Sequence, residues 1–307
     1  MENSSAQESR SPWLQVSLDV DNSWVDVVSE ELMVMGALSI TLQDAENQPV
    51  YEPAPNTTPL WKTTRVIGLF ESGTDQEILG VLIQSAFEPN ILKNCRFEPL
   101  ADQEWTRLWM TEFQPMRFGK RLWICPSWYT ADDLAGTVVH LDPGLAFGTG
   151  NHATTALCLE WLDGIEWAGK TALDYGCGSG ILAIAALKLG AQHAWGVDND
   201  SQALLASRDN AEYNQVAAAL TLCLPEQLPD LQVDVVVANI LVLPLISLVI
   251  PLAQRLKPTG SLALSGILME QVPDIRTAYQ PYFTLANPVE RDGWACIIGT
   301  RNHLNCP

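Results

Sequence analysis

Basic residues are scarce in this chain of 307: 17 Lys and Arg stand against 36 Asp and Glu, a formal net charge of −19. A surface field of that sign repels phosphate backbones and anionic headgroups, so nucleic acid and membrane surfaces are poor partners and a cationic one is favoured. No two of the seven cysteines form a C-x-x-C pair, and they are scattered from Cys95 to Cys306. Neither a disulfide framework nor a metal site is expected, and the thiols read as reduced and cytosolic. No apolar run reaches the roughly 20 residues of a bilayer span. The longest, Val235 to Ile250, is broken by Asn239, Pro244 and Ser247 and reads as a buried strand, a loop and a helix. The amino terminus, MENSSAQESRS, lacks the charged start and apolar core of a secretory signal, so residues 1–11 read as a loose tail. Internal repeats and low-complexity tracts are absent too. Charged residues make up only 17% and hydrophobic ones 47%, which excludes global disorder.

What remains is a folded chain long enough for two domains. From Trp13, Leu14, Val16, Leu18 and Val20 alternate with Gln15, Ser17 and Asp19, the period of a half-buried strand. Residues 23–35 read as a helix capped by Ser23 and stopped at Gly36, and residues 37–43 and 63–70 as strands. A helix over 74–87 with Thr74 as its cap and a strand over 94–100 complete the series. Strand, helix, strand, strand, helix, strand is the split unit of a small α+β ferredoxin-like domain, assigned to residues 12–100. The Pro-rich stretch AENQPVYEPAPNTTP is a loop within it. Residues 101–113 place Trp105, Leu108, Trp109 and Phe113 near one face before Pro115, so 101–118 is read as a linker helix. From Gly119 to residue 307, strands alternate with helical segments, as in an α/β domain with a mostly parallel sheet.

The chemistry concentrates in TALDYGCGSGILAIAALKLG, where a short strand ends at Asp174 and Gly176, Gly178 and Gly180 follow at alternate positions before a helix. Glycines at such a turn admit a ligand close to the backbone, and the helix start favours a negative group. The spacing is D-x-G-x-G-x-G, not the G-x-G-x-x-G of dinucleotide enzymes, and is the form seen in S-adenosylmethionine-dependent methyltransferases. The next strand ends at Asp198, whose carboxylate can accept two hydrogen bonds from a ribose. The strand VDVVVAN places Asn239 at its carboxyl end, where open sheets bind ligands; capping of the next helix is the alternative. In LDPGLAFGTGNHATTALCLEWL, Thr154 and Thr155 either cap a helix or help hold a carboxylate beside its amides. His152 reads as a structural hydrogen-bonder. No residue stands out as a general base, and no catalytic residue is assigned.

Those stretches, together with MRFGKRLWICPSW, resemble the bacterial methyltransferase family that modifies large-subunit ribosomal protein eleven, over nearly the whole chain after the first dozen residues. The resemblance implies a Rossmann-like class I S-adenosylmethionine-dependent methyltransferase domain preceded by the ferredoxin-like substrate-recognition domain. It implies transfer of methyl groups to amino groups of that ribosomal protein, its N-terminal α-amine and lysine ε-amines, in the cytoplasm. Carried over residue by residue, it places the S-adenosylmethionine contacts at Thr155, Gly176, Asp198 and Asn239. A monomer is expected, since no coiled-coil pattern is evident. The first hundred residues hold 15 acidic and 5 basic residues, which suits recognition of a basic protein and not direct binding of nucleic acid. The competing readings are another S-adenosylmethionine enzyme with a small-molecule substrate, a nicotinamide oxidoreductase, and an inactive binding module.

Overall fold

The structure is a computed structural model that describes residues 13–46, 48, 59–100, 114–129, 134–142 and 152–302. The tail over 1–11, most of the Pro-rich loop, the helix expected over 101–113 and the turn around Phe147 lie outside the described residues. The chain divides into two compact units, Met1–Met110 and Thr111–Pro307.

The first unit runs β1 (Trp13–Asp21), α1 (Val25–Val34), β2 (Ser39–Asp44), β3 (Thr63–Phe70), α2 (Gln76–Ala86) and β4 (Asn94–Leu100). Its antiparallel sheet has the order β2-β3-β1-β4, the split β-α-β arrangement. Leu14, Val16, Leu18 and Val20 bury one face of β1 against Val28 and Leu32 of α1 and Leu79 and Ile83 of α2. On the other face Asp19 accepts two hydrogen bonds from Arg65 (2.6 and 2.9 Å) and one from Asn94 (3.2 Å). The Arg65 bonds hold the Asp19 carboxyl below the usual carboxylate range. Two expected caps are corrected. Ser23 lies in a 3-10 turn, Asn22–Trp24, that feeds α1, with the Val25 amide bonded to the Asn22 carbonyl and no side-chain cap. Asp75, not Thr74, caps α2: it accepts from the Glu77 and Ile78 amides (2.9 and 3.1 Å), while the Thr74 hydroxyl donates to the Glu71 carbonyl.

The second unit opens with a small sheet of β5 (Met116–Phe118), β6 (Leu122–Cys125) and β7 (Thr137–His140), separate from the main sheet. There follow α3 (Ala153–Asp163), β8 (Thr171–Tyr175), α4 (Ile181–Lys188), β9 (His193–Val197), α5 (Ser201–Tyr213), β10 (Leu220–Cys223) and β11 (Val233–Asn239). The chain continues through α6 (Val242–Ser247), α7 (Val249–Arg255), β12 (Leu256–Leu268), α8 (Val272–Tyr279), β13 (Phe283–Leu285), β14 (Val289–Arg291) and β15 (Trp294–Arg301). The main sheet has the order β10-β9-β8-β11-β12-β15-β13, with β14 also paired to β15. Strands β8 to β12 are mutually parallel and β15 runs antiparallel to its neighbours, a Rossmann-like α/β sheet.

Both faces of this sheet are buried, which explains the unbroken apolar run of β11. Val235 and Val237 face the cluster built on α3 and α4; Val236 and Ala238 face the cluster built on α6, α7 and α8. The same parity puts Ala172, Asp174, Asn239 and Ser265 on the α3–α4 face. No helix among the described residues is long and apolar enough to cross a membrane.

Candidate functional site

Strand order reverses between β8 and β11: the chain steps outward from β8 to β9 and β10, then returns to pair β11 on the other side of β8. Helices leave on opposite faces there, so a crevice opens beyond the carboxyl ends of these two strands. Its walls are the glycine turn after β8 and the residues after Asn239. Gly176, Gly178 and Gly180 all have positive φ, at 79°, 54° and 78°. The backbone there is also crowded by the protein itself. A Cβ on Gly176 would lie 2.3 Å from Cγ2 of Ile240, and one on Gly180 would lie 2.8 Å from Oγ of Ser207. Gly176 and Gly180 are therefore required by internal packing, independently of any ligand.

Asp198 is joined to this turn. Gly178 donates its amide to Asp198 Oδ2 (2.9 Å) and Asp200 donates its amide to Oδ1 (3.0 Å). Each carboxylate oxygen has two acceptor positions, so the half-buried side chain is oriented by the backbone and keeps capacity for further donors. Asp200 in turn caps α5 by accepting from the Gln202 amide (2.8 Å).

On the opposite wall, parity places Asn239 under α3, where its Nδ2 donates to Thr155 Oγ1 at 3.2 Å. Two residues singled out 84 positions apart are thus brought into contact. Asn239 Oδ1 is buried and has no partner. Neither threonine caps α3. His152 does, accepting from the Thr154 amide at Nδ1 (3.4 Å) with the Thr154 hydroxyl 2.8 Å from the same nitrogen. The His152 ring packs edge-on to Trp294 with centroids 4.9 Å apart, and burial lowers its pKa. Held in this way, it serves as the start of α3. Thr155 is fully buried in the first helical turn.

Asp174 lies on the floor of the crevice and is 1% exposed. Its Oδ2 accepts from the Ala183 amide (3.0 Å), and Oδ1 has no partner. Burial, with a smaller contribution from the charge of Asp198, pushes its pKa to about 7. Among the described residues no group of His, Cys, Asp and Glu is disposed to hold a metal ion.

Ser265 escaped notice in the sequence. It is the cross-strand partner of Asn239 and donates to the Thr154 carbonyl (3.1 Å), fixing the start of α3 over the sheet. The signal was there, since a lone polar residue ends the apolar run LALS as Asn239 ends VVVAN. The next residue, Gly266, has φ +81°, and a Cβ on it would lie 2.4 Å from the Ile240 carbonyl oxygen. Gly266→Ala is expected to cost about 1–3 kcal/mol from the left-handed backbone alone, and more from the displaced Ile240. Urea unfolding of the variant checks this; parental stability would mean that the approach to Ile240 is not tight.

The chain has clear relatives. The family model described as ribosomal protein L11 methyltransferase (PrmA) matches residues 12–302. A protein of that name from Azotobacter vinelandii is 52% identical over 291 residues, covering 94% of this chain and 99% of its own. One from Pseudomonas putida is 51% identical over the same span. The crystal structure of the ribosomal protein L11 methylase from Lactobacillus delbrueckii subsp. bulgaricus aligns with a TM-score of 0.57 and 32% identity, over 62% of this chain and 100% of its own. With a family match over residues 12–302 and about half its residues shared with such relatives, this chain belongs to the ribosomal protein L11 methyltransferase family.

Proposed function

We propose that this protein transfers methyl groups from S-adenosylmethionine to amino groups of large-subunit ribosomal protein L11, namely its N-terminal α-amine and lysine ε-amines. The observation that carries the reading is the paired site at the strand-order reversal: the Asp198 carboxylate tied to the glycine turn on one wall, and Asn239 braced by Thr155 with a buried, unpartnered Oδ1 on the other. These groups fit the cofactor's chemistry. Asp198 accepts from ribose hydroxyls through its remaining lone pairs. Gly176 in the glycine turn presents backbone with no side chain of its own, and Thr155 and Asn239 complete the pocket. When bound, S-adenosylmethionine supplies a methyl group activated by its sulfonium.

The protein's task is then placement. The amine has to arrive neutral and in line, at roughly 3–3.5 Å from the carbon it attacks. Asn239 Oδ1 is an acceptor for one of its N–H bonds, and Thr155 keeps the amide from rotating away. No side chain is assigned as a base, and water takes the proton. Stripping a proton from a lysine of reference pKa about 10.4 near pH 7.4 costs roughly 4 kcal/mol, whereas an α-amine near 7.7–8.0 costs well under 1. Initial rates resolved by site are therefore expected to climb between pH 7 and 9 at the lysines, by about tenfold per unit, and to level off at the α-amine. A flat lysine rate over that range would show that the site itself lowers the lysine pKa.

The division of labour proposed is recognition by residues 12–100, a linker over 101–118 and methyl transfer by 119–307. The acidity of the first hundred residues suits a basic protein substrate and disfavours direct contact with nucleic acid. A cytoplasmic monomer is proposed. Incubation with labelled S-adenosylmethionine and a bacterial ribosomal-protein extract tests the whole reading: label is expected in L11. Cofactor binding without a labelled protein would favour a small-molecule substrate or an inactive module.

A further inference from the structure

Helix α5 carries an unusual face. A helix that docks on a sheet ordinarily does so through an apolar stripe. On α5 the buried positions are Ser207 and Ala211, with Asn210 half-buried beside them and Asn214 buried at the helix end. Residues 207, 210, 211 and 214 fall at helical spacing on one side. Burying hydroxyl and amide groups costs free energy unless they are hydrogen-bonded, and every one of these is bonded to backbone. The Ser207 hydroxyl donates to the Gly178 carbonyl (2.8 Å) and Asn210 Nδ2 donates to the Ser179 carbonyl (2.8 Å). Asn214 receives the His140 amide and donates to the His140 carbonyl (both 2.7 Å), as a neighbouring strand would for β7.

We infer that Ser207 and Asn210 are positioning residues of the cofactor site, which set the shape of the glycine turn by holding the carbonyls of Gly178 and Ser179 against α5. In a trans peptide the C=O and N–H point in opposite directions. Anchoring two successive carbonyls to the helix therefore turns the amides of the same peptide units to the side away from it. The fit is close, because Gly180 has no room for a Cβ beside Ser207, whose Cα would lie 3.2 Å from it. Alanine at both positions would leave the Gly178 and Ser179 carbonyls packed against the helix without these donors, and the orientation of two peptide planes to chance. Asp198, two residues before the cap of α5, holds the same region by accepting the Gly178 amide, and is itself oriented by the Asp200 amide. The turn is thus held on its donor side by Asp198 and on its acceptor side by α5.

This inference rests on the assignment of the crevice to S-adenosylmethionine, and the two can fail separately. The experiment is calorimetric titration of the full-length protein and its variants with S-adenosylhomocysteine, alongside ligand-free melting and the KM for the protein substrate. Ser207→Ala is expected to weaken binding by about tenfold, the loss of one buried hydrogen bond. Asn210→Asp, which keeps the side chain's shape but turns a donor into a charged acceptor facing a carbonyl, is expected to weaken it more than Asn210→Ala. The KM for the protein substrate at saturating cofactor stays within twofold. Affinities within twofold of the parent in both Ser207→Ala and Asn210→Asp would overturn the inference. So would losses of affinity matched by an equal rise in the substrate KM, which would mark a general loosening of the domain. A parent that does not bind S-adenosylhomocysteine would overturn the cofactor assignment and this inference with it.

Discussion

Replacing Asp198 by alanine is expected to weaken cofactor binding by about a hundredfold or more, since hydrogen bonds to a charged acceptor contribute roughly 1.5–3 kcal/mol each and two ribose hydroxyls are available. The geometry makes this site unusually dependent on one side chain. Its Oδ2 receives the Gly178 amide and its Oδ1 the Asp200 amide, so the carboxylate is held ready before any ligand arrives and little ordering remains to oppose binding. Truncation removes the proposed ribose acceptor and also frees the Gly178 and Asp200 amides that the carboxylate joins. Asp198→Asn separates the two effects. The amide keeps one acceptor oxygen but loses the charge and offers donors where acceptors are needed, so an intermediate loss is expected. Titration with S-adenosylhomocysteine, with ligand-free melting as a check on folding, decides the matter. Unchanged affinity in Asp198→Ala would remove Asp198 from the site.

The second large effect concerns Asp174 and is read in stability. Its pKa is raised from the ordinary 3.8 to about 7, first by burial, against the stabilising bond from the Ala183 amide, and further by the charge of Asp198. The folded protein therefore holds this proton over a range in which the unfolded chain has released it. Stability from this group is complete below 3.8, falls as pH rises, and is lost above about 7. Between pH 5 and 7 the decline is worth about 2–3 kcal/mol, at 1.36 kcal/mol for each pKa unit. Asp174→Asn keeps an acceptor for the Ala183 amide and removes the titration. Its unfolding free energy in urea, followed from pH 5 to pH 8, is expected to decline less than the parent's by about that amount. Parallel profiles would mean that the crevice floor is wetter than the buried carboxyl implies. A carboxylate left ionised and half-partnered at the head of the glycine turn is a stability cost borne at a ligand site, where such costs tend to be retained.

Much of the first unit was readable because its pattern is local. The alternation in Trp13–Asp21 and the helical spacing of Val28, Leu32 and Met35 are written in neighbouring residues, and the structure buries Val28 and Leu32 and packs Met35 beside them. The turn from Asp174 to Gly180 and the acidic residue ending β9 are local too. Caps were harder. Thr74 and Asp75 are both good cap residues, and which one serves depends on where the chain leaves its extended path. Asp75 does so at φ −73° and ψ 112°.

Contacts between distant segments were not written in any local pattern. That Asn239 meets Thr155, and that Ser265 lies beside Asn239, depends on the register of three parallel strands and on which helix covers which face. The polar side of α5 shows only a weak apolar period, and its purpose emerges once its partners at Gly178, Ser179 and His140 are in place. The chain's own order of residues was enough to settle fold class and the glycine turn, and to single out Thr155, Gly176, Asp198 and Asn239 as candidates for the site. Folding settled how those residues are braced, because hydrogen bonds across tens of residues are chosen by packing and not by sequence spacing.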